Sequence, residues 1–112
     1  MTEVAMREPT FLVLTALAAQ AQHGYGVLRD VAAISDGQVT LRAGTLYAAL
    51  DRLCAEGWVE VDREEVVESR LRRYYRLTET GAARLTAEVR RRQRHTSAAE
   101  QRLQLRGEGG LA

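Results

Sequence analysis

The sequence predicts a mainly α fold with a small β-hairpin, and three observations carry the prediction. Apolar residues recur at three- and four-residue spacings over separate stretches, the mark of helices with a buried side. One stretch of alternation, from Trp58 to Leu77, is interrupted by the polar connection "EEVVES", as a hairpin would be. Composition supplies the third: 46% hydrophobic and 28% charged residues over 112 positions is the balance of a single globular domain.

The same numbers exclude several classes. The longest apolar stretch, Phe11 to Ala19, is interrupted by Thr15 and is far shorter than the roughly 20 residues needed to cross a bilayer. The opening "MTEVAMREPT" carries Glu3 and Glu8 where a secretory signal carries bases, so a cytoplasmic location is expected. Cys54 is the sole cysteine, which rules out an intramolecular disulfide and an in-chain cysteine zinc cluster; it reads as an apolar filler.

Taken in order, the first helix is expected from Pro9 to Ala21, with Pro at an early helical position. Phe11, Leu14, Leu17 and Ala18 lie on one side and Val13, Ala16 and Ala19 on the other, so both sides need cover. The second cover is expected from another subunit. Gly24 is read as ending this helix, and Tyr25 to Ile34 as a second one with Tyr25, Leu28, Val31 and Ala32 inward, stopped by "SDG". "QVTLRAG" alternates Val39 and Leu41 with polar residues, enough for a short strand. A third helix, from Ala43 or Gly44 to about Glu56, buries Leu46, Ala49, Leu50 and Leu53 and exposes Thr45, Ala48, Asp51 and Arg52. Gly57 stops it.

Trp58 to Arg63 forms one hairpin strand with Val59 and Val61 inward, Glu64 to Ser69 the tip, and "RLRRYYRL" the return. Thr78 suits the N-cap of a last helix reaching about Arg106, whose thin seam runs through Leu85, Val89, Arg92, Thr96, Ala99 and Leu103. Such a narrow seam predicts packing on a second copy, giving Phe11, Leu14, Leu85, Val89, Thr96, Ala99 and Leu103 as the dimer interface. The expected layout is therefore one globular domain over 8–77, a dimerisation helix over 78–106 and a flexible tail over 107–112.

Helix, helix, short strand, helix and hairpin is the order of a winged helix-turn-helix domain, whose third helix enters the major groove while the hairpin, or wing, reaches the flanking backbone or minor groove. The third helix has the right surface for this. Gly44 permits close backbone approach at the helix N-terminus, where free amides favour phosphate. Thr45 and Tyr47 add hydroxyls, Arg42 and Arg52 add charge, and small Ala48 lets the helix lie near the bases. The wing supplies the cation: the chain's net charge is only +1, yet Arg70, Arg72, Arg73 and Arg76 crowd the return strand with no acid among them.

The stretches "HGYGVLRDV", "GTLYAALDRLCAEGWVE" and "RLRRYYRLTETG" resemble the PadR family of bacterial transcriptional regulators, whose members pair H-G-Y, G-T-L-Y and R-Y-Y-x-L-T motifs at about these separations. The resemblance covers roughly Phe11 to Leu85 and implies a homodimeric repressor with a C-terminal dimerisation helix. It implies further that Gly44, Thr45, Leu46 and Tyr47 open the recognition helix and that Arg70, Arg72 and Arg73 belong to the wing. Two departures stand out: Ala48 where many members have Pro, and Ser69 with Leu71 in place of a wing Gly and Pro. The short last helix is similar to the subgroup with a single dimerisation helix.

No enzyme is expected, because His23 and His95 sit in different elements and no nucleophile, paired carboxylates or phosphate loop accompanies them. His23 is read as capping the second helix. No metal or other cofactor is expected, and the partners are palindromic double-stranded DNA, a second copy and a hydrophobic small-molecule effector between the first and last helices. The rival reading is a winged-helix module for an acidic protein partner, since seven arginines face three glutamates between Glu79 and Arg106.

Overall fold

Pro9, which has no amide to lose in a first helical turn, opens α1 (Glu8–Ala18). In the computed structural model, which describes residues 5–109, it is followed by β1 (Gln22–His23), α2 (Gly24–Ile34), α3 (Ala43–Ala55), β2 (Val59–Val67), β3 (Arg70–Leu77) and α4 (Glu79–Gly109). The three strands form one antiparallel sheet in the order β1-β3-β2.

Leu12, Val13, Leu14, Ala16 and Leu17 of α1 are all buried, and the helix packs on α2, β3 and α4 of its own chain. The second cover expected from another subunit is thus supplied internally, by the first turns of α4. Leu14 is wholly buried in this core, so it has no surface to offer a second copy. α1 also stops three residues earlier than its apolar run implies. The Gln22 side-chain amide donates to the Ala16 carbonyl at 2.7 Å and to the Asp30 carboxylate at 2.9 Å, satisfying an end-of-helix acceptor and drawing the chain into β1.

Gly24 opens α2 rather than ending α1, and His23 is its N-cap: the ring Nδ1 accepts from the Gly26 amide at 3.1 Å. The buried face differs from the expected one. Val27 and Val31 become the fully buried face, while Tyr25, expected inward, is 66% exposed. Val39 and Leu41 form no strand. Their segment is a loop pinned by Ser35, whose Oγ accepts from the Val39 amide at 3.0 Å, and both side chains tuck against the core. The sheet edge beside β3 is taken instead by β1, which pairs Gln22 with Tyr75 and His23 with Tyr74.

α3 buries Leu46, Leu50 and Leu53 completely. It ends in a Schellman turn, with Gly57 at φ 79° and the amides of Gly57 and Trp58 donating to the carbonyls of Cys54 and Leu53. The hairpin beyond is longer than expected, with pairing continuing to Val67 opposite Arg70. The tip is only Glu68 and Ser69, both at positive φ as a tight two-residue hairpin turn requires. A bulge at Asp62 marks where the wing leaves the core. Val59 is buried there, but Val61, expected inward, is 42% exposed.

Thr78 caps α4 as expected, accepting from the Gly81 amide at 3.0 Å, and its hydroxyl donates to the Gly57 carbonyl at 2.6 Å. Any side chain at Gly81 would run into the Trp58 carbonyl, so the start of α4 is pressed onto the turn that ends α3. The helix continues through Gly109, taking in residues 107–109 of the expected tail; residues 110–112 lie outside the described residues. From Gln93 onward α4 is exposed and gives the molecule its 69 Å length.

Candidate nucleic-acid interface

One face of α3 is left uncovered by the core packing: Gly44, Thr45, Tyr47, Ala48 and Asp51 are all exposed, and Arg42 stands exposed at its N-cap position. Gly44 is informative because the fold does not require it. A methyl group there would meet nothing within 4 Å, and glycine in a helix is intrinsically unfavourable, so packing within the chain does not account for it. Tyr47 is held differently from a free surface hydroxyl. Its ring and hydroxyl lie against the α-carbon of Gly24, where a side chain would overlap them. The "HGY" and "GTLY" stretches are therefore two halves of one contact.

The wing meets this face across a cleft of about 650 Å³ lined by Tyr47 and Asp51 from α3, His23 and Tyr25 from the start of α2, and Arg70 to Arg73 from β3. Its four β3 arginines are not equivalent. Arg76 bonds Glu60 at 2.6 Å and approaches Asp62 at 3.5 Å, and Arg73 meets Glu64 at 3.3 Å. Arg70 and Arg72 form no ion pair among the described residues. Arg72 faces Glu65 across the hairpin, but that carboxylate is engaged by Arg63 at 2.9 Å, and the Arg63 guanidinium also stacks on Tyr74 at 3.9 Å. Cross-hairpin pairing thus accounts for Arg73 and Arg76, pairing along β2 for Arg63, and Arg70 and Arg72 are left open.

Arg52 does not join them. It turns to the opposite flank of α3 and donates to Thr10 Oγ1 at 3.1 Å, because the last turn of α3 abuts the start of α1. The structure adds Tyr25 and His23, which composition and periodicity did not single out for the cleft; the "HGY" spelling was the available signal. Burial, then the nearby Arg72 and Arg29 cations, hold the His23 imidazole below its usual range, which keeps Nδ1 an acceptor for the helix cap. Burial and then Asp51 push the Cys54 thiol up, away from the reactive thiolate.

The expected dimer residues divide by position. Leu85 is buried against α1, whereas Phe11, Val89 and Thr96 border an open groove of about 570 Å³ between α1 and α4. Arg92 stacks on Phe11 at 4.0 Å in this groove. Ala99 and Leu103 lie further out on exposed α4, joined by Leu105, each leucine 65% exposed. Beneath the groove Glu88 is buried, accepting from Arg91 and Arg92 at 2.6 Å and from the Met6 amide at 3.4 Å. Arg91 first, then Arg92 and Met6, hold its carboxyl down to about 2 against the cost of burial.

Among the described residues no group of His, Cys, Asp or Glu is placed to hold a metal ion, and no helix is long and apolar enough to cross a membrane.

A three-helix core, a two-stranded wing and a shared cleft between them define a winged helix-turn-helix fold. Residues 13–87 match the transcriptional regulator PadR-like family. The chain belongs to that family, whose members are transcriptional regulators and not enzymes. A PadR family transcription regulator from Clostridium difficile R20291 has 21% identity and a TM-score of 0.70 over 84% of this chain and 96% of its own. A regulator of the same family from Eggerthella lenta has 26% identity and a TM-score of 0.65, over 85% of this chain and 80% of its own. Bacillus subtilis PadR, solved in complex with operator DNA, has 19% identity and a TM-score of 0.67; the match spans 74% of this chain and 47% of that one. No curated relative is similar enough to this chain to count as a match.

Proposed function

We propose that this protein is a cytoplasmic bacterial repressor that binds a palindromic double-stranded operator as a homodimer. α3 enters the major groove, with Gly44 bringing the backbone close and Thr45, Tyr47 and Ala48 against the bases. Arg42 binds phosphate at the helix start, and Arg70, Arg72 and Arg73 bind the backbone beside the groove. Asp51, an acceptor inside a cationic cleft, suits an amino group on a cytosine edge. Two copies joined along the exposed part of α4, with Phe11, Val89, Thr96, Ala99 and Leu103 in the seam, set two α3 helices about one DNA turn, roughly 34 Å, apart.

One observation carries the reading. Two arginines without acidic partners stand across a single cleft from the exposed face of a helix whose glycine the fold does not need. The operator-bound Bacillus subtilis relative has the same fold, which supports the choice of DNA as the polyanion. A hydrophobic effector settling in the α1–α4 groove would change the angle between copies and shift the dimer away from the spacing that fits DNA.

Selection of bound fragments from a random DNA pool tests the proposal. The expected result is a palindrome with half-sites one turn apart. Equal, weak retention of all fragments at physiological salt would refute it and favour an acidic protein partner.

A further inference from the structure

Near its tip the wing carries an exposed apolar pair that neither the core nor the ion pairs use. Val66 and Leu71 stand directly opposite each other across the hairpin and are 75% and 61% exposed. On the core side of them Glu64 and Arg73 form an ion pair, and on the other side the turn at Glu68 and Ser69 follows within two residues. A lone exposed apolar residue is ordinary, and Val opposite Leu steadies a hairpin locally. Their position is what asks for more. Among the described residues β1 pairs only with Tyr74 and Tyr75, so from Arg73 outward β3 has a free edge, which borders the cleft opposite Tyr47 and Asp51 of α3. Alternation sends Arg70 and Arg72 to one face of that edge and Leu71 to the other, with Leu71 between them along the strand. The two cations that form no ion pair among the described residues therefore bracket an apolar side chain.

We propose that Val66 and Leu71 form a wedge that enters the minor groove beside the segment read by α3 and opens one base step there. This rests on the DNA binding proposed above and adds to it a means of choosing sequence. Two guanidiniums about 7 Å apart along a strand suit a groove about 6 Å wide with a phosphate chain on either side. Between those chains lie sugars and base edges, surfaces that a leucine with a valine beside it covers and a guanidinium does not. An aliphatic wedge partly unstacks the step it enters and kinks the duplex. The cost of that opening depends on sequence, because pyrimidine–purine steps such as TA deform easily and A-tracts are stiff. Val66 and Leu71 thus select a deformable step without donating or accepting a hydrogen bond.

The test uses the full chain and the duplex recovered by selection, with 2-aminopurine, a base that fluoresces on unstacking, placed at successive steps flanking each half-site. Parent protein should raise the fluorescence several-fold at one step and leave it flat at the others. Replacing that step by part of an A-tract should weaken parent binding about tenfold. Val66→Thr/Leu71→Thr keeps strand-forming side chains in the hairpin while making both polar. It should lose the fluorescence rise and bind the two duplexes with nearly equal affinity, at the parent's salt slope, because Arg70 and Arg72 remain. Circular dichroism and the urea midpoint check that it folds, and Leu71→Thr alone gives the same reading should the double variant unfold. No unstacking at any step with the parent, or folded variants that keep the parent's signal and discrimination, would overturn the wedge. Self-association of the parent without DNA that the variants lose would overturn it in favour of a contact between copies. A parent that binds no duplex would overturn the operator reading as well, whereas operator binding without unstacking refutes the wedge alone.

Discussion

Removing Arg70 and Arg72 together tests the division of the wing into paired and open cations. Each phosphate contact contributes about 0.9 to the slope of log affinity against log salt. With both open arginines removed from each of two wings, the Arg70→Ala/Arg72→Ala dimer should show a slope shallower by about 3.6. Over a roughly fourfold rise in salt, parent affinity should then fall about 100-fold further than that of the variant. The assay is fluorescence anisotropy with labelled operator and with a scrambled duplex at four salt concentrations. Both DNAs should show the same flattening, because phosphate contacts carry no sequence information. Arg76→Ala is the control: its guanidinium is bonded to Glu60 and approaches Asp62, so its slope should stay within one phosphate's worth of the parent. An unchanged slope in the double variant, or equal flattening in Arg76→Ala, would refute the assignment of the two open arginines to DNA.

Three further outcomes are expected. Gly44→Ala should raise the urea midpoint slightly, by up to about 0.5 kcal/mol of stability, because the helix gains a better former. Operator affinity should meanwhile drop at least tenfold, and a loss of stability would contradict the room seen around that residue. Gly24→Ala should overpack Tyr47 and cost about 1–3 kcal/mol in denaturant melts. Adding Tyr47→Ala should recover part of that loss, and strict additivity would argue against the contact. Glu88→Gln should cost about 3 kcal/mol at pH 7, since a carboxyl lowered from 4.5 to about 2 is stabilised by roughly 1.4 kcal/mol per pH unit. A depressed acid contributes fully above its unfolded value, so the gap between parent and variant should persist down to about pH 4.5 and close as pH approaches 2. Urea melts across that range check it, and a gap independent of pH would assign the loss to packing.

Much of the fold was legible because its signals are local. The leucines at 46, 50 and 53 show their spacing in the bare sequence, Gly57 stops a helix wherever one precedes it, and Thr78 caps by reaching its own next turn. The misreadings share a different cause. Val39 and Leu41 alternate as a strand does, but whether alternation becomes pairing depends on an available edge, and β1 holds it. Tyr25 shares helical spacing with Leu28 and Ala32, but the core takes Val27 and Val31 and leaves Tyr25 outside, a choice that neighbours in space make. Leu14 looked like interface because nothing local says that α4 of the same chain folds back over α1.

The candidate site shows the same boundary. Sequence alone determined the cationic strand, the exposed face of α3 and the family motifs, since charge and periodicity are properties of neighbours along the chain. Only tertiary structure decided which arginines are open, because a guanidinium is neutralised by whichever carboxylate the hairpin register sets beside it: Glu60 for Arg76, Glu64 for Arg73, and none for Arg70. It also turned Arg52 from the cleft towards Thr10 and pressed Tyr47 onto Gly24, joining residues far apart in sequence. Pairing and packing act through distance in space, and that distance is set by the completed fold.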